Sequence, residues 1–366
     1  MGLSAAWALT RAGWRVRLVE QDPVPNPRGS SVDDHRLIRH AYGAAQGYMR
    51  MVDPAYRAWD AAFADMGEAP YVETGVLALA AADDGWLAAS RDAMRADGHA
   101  LATLDGAAVA VHFPFLAAEG IGAAFLAPRG GVLLARQIVA GLAAWLAARG
   151  VVPQQAVARD IHPQAASLTL MDGTRLSADL LVVAAGPWGP RLVPGLAARV
   201  RPTRQVVVRL APPPSLHRAW AAAPMLLDIG AEDGFYAVPP VAGTPLKIGD
   251  HRFAATEDPD GPRTVSAAEA TAILELARGR IRDLDSYRML SAAACWYDVE
   301  PAERFLLEPL GPAAWVMSGF SGHGFKFGAL LGLGIAAATD PAIAPRLPAW
   351  AAGEAPIPFA LPEPTA

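Results

Sequence analysis

The chain of 366 residues is long enough for two domains that share a continuous core. Its 53% hydrophobic and 18% charged residues are typical of a folded globular protein and exclude disorder. A net charge of −5 without a basic patch excludes nucleic acid as a partner. The most apolar run, residues 327–339, is too short for a bilayer and contains three glycines, so it predicts a buried helix and no membrane span.

Two residue types are unusually scarce. The 31 basic residues include only two lysines, Lys247 and Lys326. This scarcity indicates a sequence drift in favour of arginine, which can replace lysine wherever only surface charge is needed. We therefore expect the two remaining lysines to serve where a compact, titratable ammonium is required. Cys295 is the single cysteine, which excludes an intrachain disulfide. Taken alone, such a cysteine is more often an inert buried thiol than a reactive one.

The first residues predict the second half of a dinucleotide-binding βαβ unit. Residues 2–13 have helical apolar spacing and end on a glycine, and residues 14–20 alternate as a strand does and end at Glu20. An acidic residue at this place accepts hydrogen bonds from the adenosine ribose. Only the last glycine of the usual G-x-G-x-x-G pattern is present, as Gly2, so this motif alone leaves an ordinary helix–strand connection equally open.

The sequence begins inside the expected phosphate-binding turn. In such sheets the preceding strand is central, and its loss would leave buried backbone groups unpaired at a cost of ~1–3 kcal/mol each. We therefore predict a start codon assigned too late. The upstream DNA should encode, in frame, about ten apolar residues that lead into a Gly-x-Gly.

Several later segments have the strand–glycine–helix order of a cofactor-binding domain. A glycine turn lets backbone approach a cofactor closely, and the N-terminus of the helix that follows can face an anion. In chain order we expect a helix over 135–149, a strand over 151–158, a hairpin at Asp172–Gly173, a strand over 179–185 that ends at Gly186, a strand over 315–320 and a buried helix over 327–339.

Segments 71–129 and 201–284 differ from these, because they carry alternating β patterns with one helix predicted over 267–280. The chain therefore visits two domains alternately. The predicted fold class is α/β, with a Rossmann-like domain of parallel sheet and helices and an α+β domain whose sheet is mainly antiparallel.

Four clusters resemble, in order and spacing, the family of monomeric sarcosine oxidase and N-methyltryptophan oxidase, which are D-amino-acid-oxidase-like flavoenzymes. They are RLIRHAYG (36–43), LKIGDH (246–251), CWY (295–297) and GFSGHGFKF (319–327). The resemblance covers nearly the whole chain. It implies an FAD-binding domain built from residues 1–70, 130–200 and 285–366 and a substrate domain built from residues 71–129 and 201–284.

Arg36 and Arg39 lie three residues apart, so on a helical turn both guanidinium groups would project to one side. The ordinary interpretation of such a pair is a solvated basic face. Beside a flavin, however, it can neutralise reduced-flavin charge and bind a substrate carboxylate. The resemblance implies that Arg39 and Lys326 hold this carboxylate and that Arg36 lies near the flavin ring.

Lys247 and His251 lie four residues apart on a strand-like segment, which predicts that they share a face of the sheet. The resemblance implies that Lys247 contacts the reactive flavin nitrogen through water and promotes electron transfer to dioxygen, which is electrostatic catalysis. His251 would shape the substrate side and Tyr236 would line the same pocket. For His251, a packed and hydrogen-bonded imidazole stays equally open.

The resemblance also assigns the cofactor contacts. Cys295 matches the family's attachment residue, whose sulfur bonds the methyl carbon of the benzenoid ring, so the inert interpretation is replaced by covalent FAD. The other predicted FAD-binding residues are Gly2, Glu20, Arg28, Ser30, Ser31, Val157, Gly186, Trp188, Gly319, Gly322, His323, Gly324 and Lys326.

The implied reaction moves a hydride from the carbon beside a secondary amine to FAD, giving an imine that water hydrolyses, while dioxygen becomes hydrogen peroxide. His35 and Asp250 stand where the family has a small hydroxyl residue and an aromatic residue, and both departures would alter the pocket for sarcosine. A cyclic amine such as pipecolate or proline would suit the same carboxylate contact. A flavin dehydrogenase that passes electrons from a 2-hydroxy acid or amino acid to a quinone is a second possibility. A truncated flavoprotein without turnover is the third.

The predicted partners are a small amino acid and dioxygen. We expect a monomer or a weak homo-oligomer, located in the cytoplasm, that binds no metal.

Overall fold

The computed structural model describes residues 1–83, 85–229, 234–253 and 256–363. Its strands are β1 (Val19–Glu20), β2 (Arg36–Ile38), β3 (Tyr71–Glu73), β4 (Val76–Ala80), β5 (Ala102–Leu104), β6 (Ala123–Ala127), β7 (Gly131–Leu133), β8 (Gln154–Gln155), β9 (Ala158–His162), β10 (Ser167–Leu170), β11 (Arg175–Ser177), β12 (Leu181–Val183), β13 (Arg201–Ala211), β14 (Met225–Asp228), β15 (Phe235–Val238), β16 (Leu246–Asp250), β17 (Arg288–Val299), β18 (Leu306–Gly311) and β19 (Ala314–Ser318). Its α-helices are α1 (Gly2–Arg11), α2 (Gln46–Arg50), α3 (Val52–Met66), α4 (Gly85–Ala96), α5 (Gly106–His112), α6 (Ala135–Ala147), α7 (Gly189–Leu192), α8 (His217–Ala221), α9 (Ala267–Arg278), α10 (Gly328–Ala337) and α11 (Leu347–Ala351).

The largest sheet has the strand order β17-β13-β16-β15-β14-β4-β6-β5. Its pairs are antiparallel except for β14 and β4, which run parallel. Helix α9 contacts β13 and β16, and its N-terminus is closed by a capping box in which Ser266 and Glu269 exchange hydrogen bonds. Pairing in this sheet places Arg209 of β13 opposite Lys247 of β16, and Gln205 opposite Cys295 of β17.

Two smaller sheets contain the parallel pairs β1–β8 and β12–β19. Helix α10 packs against α1 and α3 beside them. The contact of α10 with α1 is close, because a Cβ added to Gly332 would lie 2.4 Å from the backbone oxygen of Ser4. The predicted fold class, a Rossmann-like domain with a second, mainly antiparallel domain, is thereby confirmed. The exact division of residues between the domains stays a prediction.

Predicted helices were more accurate than predicted strands. The helices expected at residues 2–13, 135–149, 267–280 and 327–339 are α1, α6, α9 and α10, and the expected hairpin is β10–β11. The strands expected over 14–20 and 151–158 are largely wrong, because β1 and β8 have two residues each and β9 begins at the end of the second segment. A strand forms only where its backbone pairs with a neighbouring strand, and the alternation of residue types within one segment does not show where that is. Strands β1 and β8 are therefore limited to the two residues of each that pair with the other.

Within the described ranges, no helix is both long enough and apolar enough to cross a membrane. The apolar helix α10 has 10 residues and is buried in the core, as the sequence predicts.

Candidate functional site

A cavity of about 1490 Å³ lies at the N-terminal end of α1 and extends along β1, β12 and the glycine-rich segment after β19. Typical small-molecule sites have volumes of roughly 300–1,000 Å³, so this cavity suits a longer ligand such as a dinucleotide. Nine of the predicted FAD-binding residues line it, together with Arg36 and Tyr297: Gly2, Glu20, Ser30, Ser31, Val157, Gly186, Trp188, Gly322 and Gly324.

Two glycines in the cavity wall have backbone conformations that residues with a side chain rarely adopt. Gly186 follows β12 with a φ of 52°, and Gly322 follows β19 with a φ of 76°. A Cβ at Gly322 would also overlap the ring of Tyr297. At both places the backbone itself forms the cavity wall, as a cofactor-binding turn requires.

Polar side chains fix the loop that covers the cavity after β1. Glu20 accepts hydrogen bonds from the Gln21 backbone N–H at 2.8 Å and from Asn26 Nδ2 at 3.1 Å. Arg28 is not part of the lining. Its guanidinium binds Asp22 at 2.8 Å and lies 5.5 Å from the ring centre of Trp188, so Arg28 supports the wall through that ring.

The expected helical turn that carries Arg36 and Arg39 is wrong. Residues 36–38 form β2, which pairs with β7, and side chains three apart on an extended segment face opposite sides. Arg36 donates to Asp33 Oδ2 at 2.7 Å and to the backbone oxygen of Ser30 at 2.7 Å. Arg39 instead lies over the rings of Tyr42 and Trp86, 4.6 and 5.6 Å from their centres. The two arginines therefore serve two different groups of side chains.

The first group is centred on Asp33, which sequence reasoning missed. Its carboxylate accepts hydrogen bonds from Lys247 Nζ at 2.8 Å, from Arg36 at 2.7 Å and from Arg209 at 2.6 Å. Lys247 also donates to the backbone oxygen of His35 at 2.9 Å. Burial alone would raise the pKa of Asp33, but Lys247 and the two arginines hold it well below its usual range. Burial lowers the pKa of Lys247 to about 8, although Asp33 opposes this.

Cys295 and Tyr236 lie beside this group. Burial raises the pKa of the Cys295 thiol, while the positive charge of Arg36 acts against that shift. Burial also raises the pKa of Tyr236, with Asp33 adding to the shift. Cys295 is half-buried and does not line the large cavity, whereas Tyr297, two residues further along β17, does.

The second group surrounds Lys326, which is 4% exposed. Its Nζ donates to Tyr42 Oη at 2.9 Å and to the backbone oxygen of His323 at 3.1 Å. Arg39 is 7% exposed, and its Nη1 has no hydrogen-bond partner among the described residues. Burial lowers the pKa of Lys326 well below its usual range, and the charge of Arg39 lowers it further. Glu303 acts on both cations at a distance, but neither forms an ion pair with any residue that the structure describes, so the two together form a site for an anion.

Two partly exposed residues, the acid Glu303 and the base His251, lie at the edge of this second group next to His323. His323 lies 3.3 Å from Tyr42 Oη through Nδ1 and 3.2 Å from the backbone oxygen of Glu303 through Nε2. The Glu303 carboxylate lies 3.2 Å from His251 Nε2. His251 and Lys247 thus contact different partners, because β16 ends at Asp250 and His251 lies beyond it. Gly319, with a φ of 71°, positions the segment that leads to His323 and Lys326.

One other polar group lies apart from these residues. His40, Asp53 and His99 each bring one ligand atom to within 4.8 Å of the others, which is close enough to hold a metal ion. Arg129 Nε lies 3.6 Å from the same Asp53 oxygen that contacts His40, so a metal ion would compete with a guanidinium. The expectation that the chain binds no metal stays a prediction.

The sequence matches the family described as DAO, FAD dependent oxidoreductase, over residues 1–338. It is 26% identical to the monomeric sarcosine oxidase of Bacillus sp. (strain B-0618), with 91% of this chain and 87% of that protein covered. It is 29% identical to the N-methyl-L-tryptophan oxidase of Salmonella arizonae, with 91% and 90% covered. Among solved structures, NikD, an unusual amino acid oxidase essential for nikkomycin biosynthesis, has the same fold, with a TM-score of 0.77 at 20% identity over 92% of this chain and 90% of that one. The family resemblance read from the sequence is confirmed, and the chain belongs to the DAO family of FAD dependent oxidoreductases.

Proposed function

We propose that the protein oxidises the C–N bond of an N-methyl or cyclic secondary amino acid to an imine and passes the electrons to dioxygen, giving hydrogen peroxide. The observation that carries this proposal is the buried pair Arg39 and Lys326, because two cations that form no ion pair within the described ranges suit the carboxylate of an amino acid. The two oxidases named above, which are similar over most of their length, support the substrate class.

The residues around the large cavity suit FAD. Its volume, its glycine turns and the acidic Glu20 at the end of β1 are the features that a dinucleotide requires. Bound FAD supplies the hydride acceptor and the path of electrons to dioxygen. We infer a covalent bond to Cys295, because the positive charge of Arg36 acts on the thiol and a cation stabilises the thiolate that must react.

Substrate binding is assigned to the second group. A carboxylate between Arg39 and Lys326 would supply the negative charge that these cations lack, and would raise the lowered pKa of Lys326. Tyr42 holds the Lys326 ammonium in place and lies under the Arg39 guanidinium. His251, hydrogen-bonded to Glu303, would lie on the side of the amine and help to keep it neutral.

Oxygen activation is assigned to the first group. Lys247 is a compact cation that is 2% exposed, and a buried cation stabilises negative charge as it develops on dioxygen. Arg36, which lines the large cavity, and Tyr236, on whose pKa both Asp33 and Arg36 act, would belong to the same oxygen-reactive group. The cytoplasmic location and the monomeric or weakly oligomeric state stay predictions.

A peroxide-coupled screen of purified, FAD-loaded protein against N-methyl and cyclic amino acids tests this function. We expect peroxide with at least one amino acid and far less with the matching amine that lacks the carboxylate. A substrate that bleaches the flavin without peroxide, followed by reoxidation with a quinone, would favour the dehydrogenase. A flavin that no compound in either set bleaches would favour a flavoprotein without turnover.

The role of Lys326 in carboxylate binding gives a further expected result. A charge-assisted hydrogen bond is worth ~1.5–3 kcal/mol, so Lys326→Met should weaken the binding of a carboxylate-bearing inhibitor by roughly ten- to a hundredfold. Titration of the flavin absorbance with the inhibitor measures this. The amide analogue of the same inhibitor serves as the control and should lose much less affinity. Unchanged binding of the carboxylate would move the anion site away from Lys326.

A further inference from the structure

Asp33 is a buried carboxylate that three cations share. The residue is 6% exposed. Oδ2 accepts from Lys247 at 2.8 Å and from Arg36 at 2.7 Å, and Oδ1 accepts from Arg209 at 2.6 Å. The four groups together carry a net charge of +2. A buried cation without a paired anion is strongly destabilised, so Asp33 is what allows these three cations to lie side by side.

Each cation reaches Asp33 from a different part of the fold. Lys247 lies on β16, Arg209 lies opposite it on β13, and Arg36 lies on β2 of another sheet. The two arginines have further partners, since Arg36 donates to the backbone at Ser30 and Arg209 lies 3.6 Å from Asp34. Within the described part of the chain, Lys247 Nζ donates hydrogen bonds to Asp33 and to one backbone oxygen. Lys247 therefore depends on Asp33 more than the arginines do.

We propose that Asp33 is a positioning residue that holds the Lys247 ammonium in place and charged, while Arg209, a like charge bound to the other oxygen of the same carboxylate, acts against it. One consequence rests on the proposed function: Asp33 would set the range of pH in which Lys247 can activate dioxygen. The electrostatic effect on Lys247 itself does not depend on that function.

The surroundings of Lys247 determine the sign of each effect. Lys247 interacts electrostatically with charged and titratable groups on four parts of the fold: Asp33 and His35 before β2, Arg36 on β2, Arg209 on β13 and Cys295 on β17. Burial lowers the pKa of His35 to about 3, so it is neutral near neutral pH. The pKa of the Cys295 thiol is raised, so it also stays neutral there. Asp33 raises the pKa of Lys247, and the two arginines lower it.

The two lysines of the chain make the protonation of Lys247 directly measurable. Protein labelled with ¹⁵N at lysine Nζ should give two side-chain signals, and Lys326→Arg assigns them. In the unmodified protein we expect Lys247 to titrate near its pKa of about 8. In Asp33→Asn the midpoint should fall by about 1–3 pH units, since an opposite charge at this distance has been removed. In Arg209→Gln the midpoint should rise, because a like charge has been removed.

Opposite shifts distinguish this proposal from a structural role. Both variants disturb the hydrogen bonds at the Asp33 position, so general loosening of the site would move both midpoints in one direction. Asp33→Glu keeps the charge and should return the midpoint toward that of the unmodified protein. If Asp33→Asn does not fold, Arg209→Gln still decides, because it leaves Asp33 paired with Lys247 and Arg36. Midpoints that are unchanged, or that shift the same way, would overturn the proposal.

The loaded enzyme supplies the second measurement. The ammonium exists below the pKa of Lys247, so the rate of flavin reoxidation by dioxygen should fall as the pH rises through about 8. The pH at which the reoxidation rate falls should be lower in Asp33→Asn and higher in Arg209→Gln. NMR midpoints that move without any change in the reoxidation profile would support the hold of Asp33 on Lys247 and would contradict the proposed oxygen role of Lys247.

Discussion

Lys247→Met should slow the reoxidation of the reduced enzyme by dioxygen about 10²–10³-fold, the usual effect of removing one preorganised electrostatic donor. Anaerobic reduction by substrate should change much less, because the proposed carboxylate site at Arg39 and Lys326 belongs to a different group of side chains. The physical reason is timing. A cation fixed in a buried site stabilises charge on dioxygen without reorganisation, and this charge is absent while the amine is being oxidised. Stopped-flow absorbance of the flavin measures both half-reactions.

The structure also supplies controls for this experiment. Methionine removes the charge of Lys247 but leaves Asp33 paired with Arg36 and Arg209, so the carboxylate keeps two partners and the fold should persist. Lys247→Arg keeps a positive charge and should retain more of the oxygen reaction than methionine does. Lys326→Met should show the reverse pattern, with weaker substrate binding and nearly normal reoxidation. An equal loss in both half-reactions of Lys247→Met would contradict a role centred on oxygen.

Cys295→Ser should convert a flavin that survives acid precipitation into one that is released completely. In the unmodified protein the yellow colour should stay with the precipitate, and the intact mass should exceed that of the polypeptide by one FAD. Serine has nearly the shape of cysteine, and backbone pairing of β17 with β13 does not use this side chain, so the variant should fold. It lacks the sulfur that would form the bond.

Arg36 provides a second test of the same bond. The Cys295 thiol has a raised pKa, and Arg36 is the cation that most opposes this shift. Arg36→Met should therefore slow covalent attachment when apoprotein is mixed with FAD, even where FAD still binds. The fraction of acid-stable flavin over time measures the rate. Free flavin in the supernatant of the unmodified protein would rule out the covalent bond.

The glycine turns around the cavity and several helices could be predicted from the sequence because these features are local. Gly186 and Gly322 follow strands β12 and β19, where a glycine permits a turn with positive φ, and both line the cavity. Helices α6, α9 and α10 likewise follow from apolar spacing within one segment. The helical turn at Arg36 and Arg39 is wrong because pairing of β2 with β7, about 95 residues away, decides the conformation of that segment.

The interior charges are the part that local patterns do not predict. Asp33 stands in a polar run with Asp34 and His35, which is typical of a surface loop. Only the pairing of β13 with β16 brings Arg209 and Lys247 onto the same carboxylate. The one signal in the sequence was the scarcity of lysine, which singled out Lys247 but not its partner.

Both lysines lie inside the molecule, with exposed fractions of 2% for Lys247 and 4% for Lys326. Amine-reactive esters, which ordinarily acylate many surface lysines of a protein, find no lysine on this surface. Acylation of either residue then requires the interior to open, so its rate reports how often reagent-sized molecules enter. Acylation of Lys247 reports on opening near Asp33, and acylation of Lys326 reports on opening near Arg39. The native protein therefore reports local opening at two separate places without added labels.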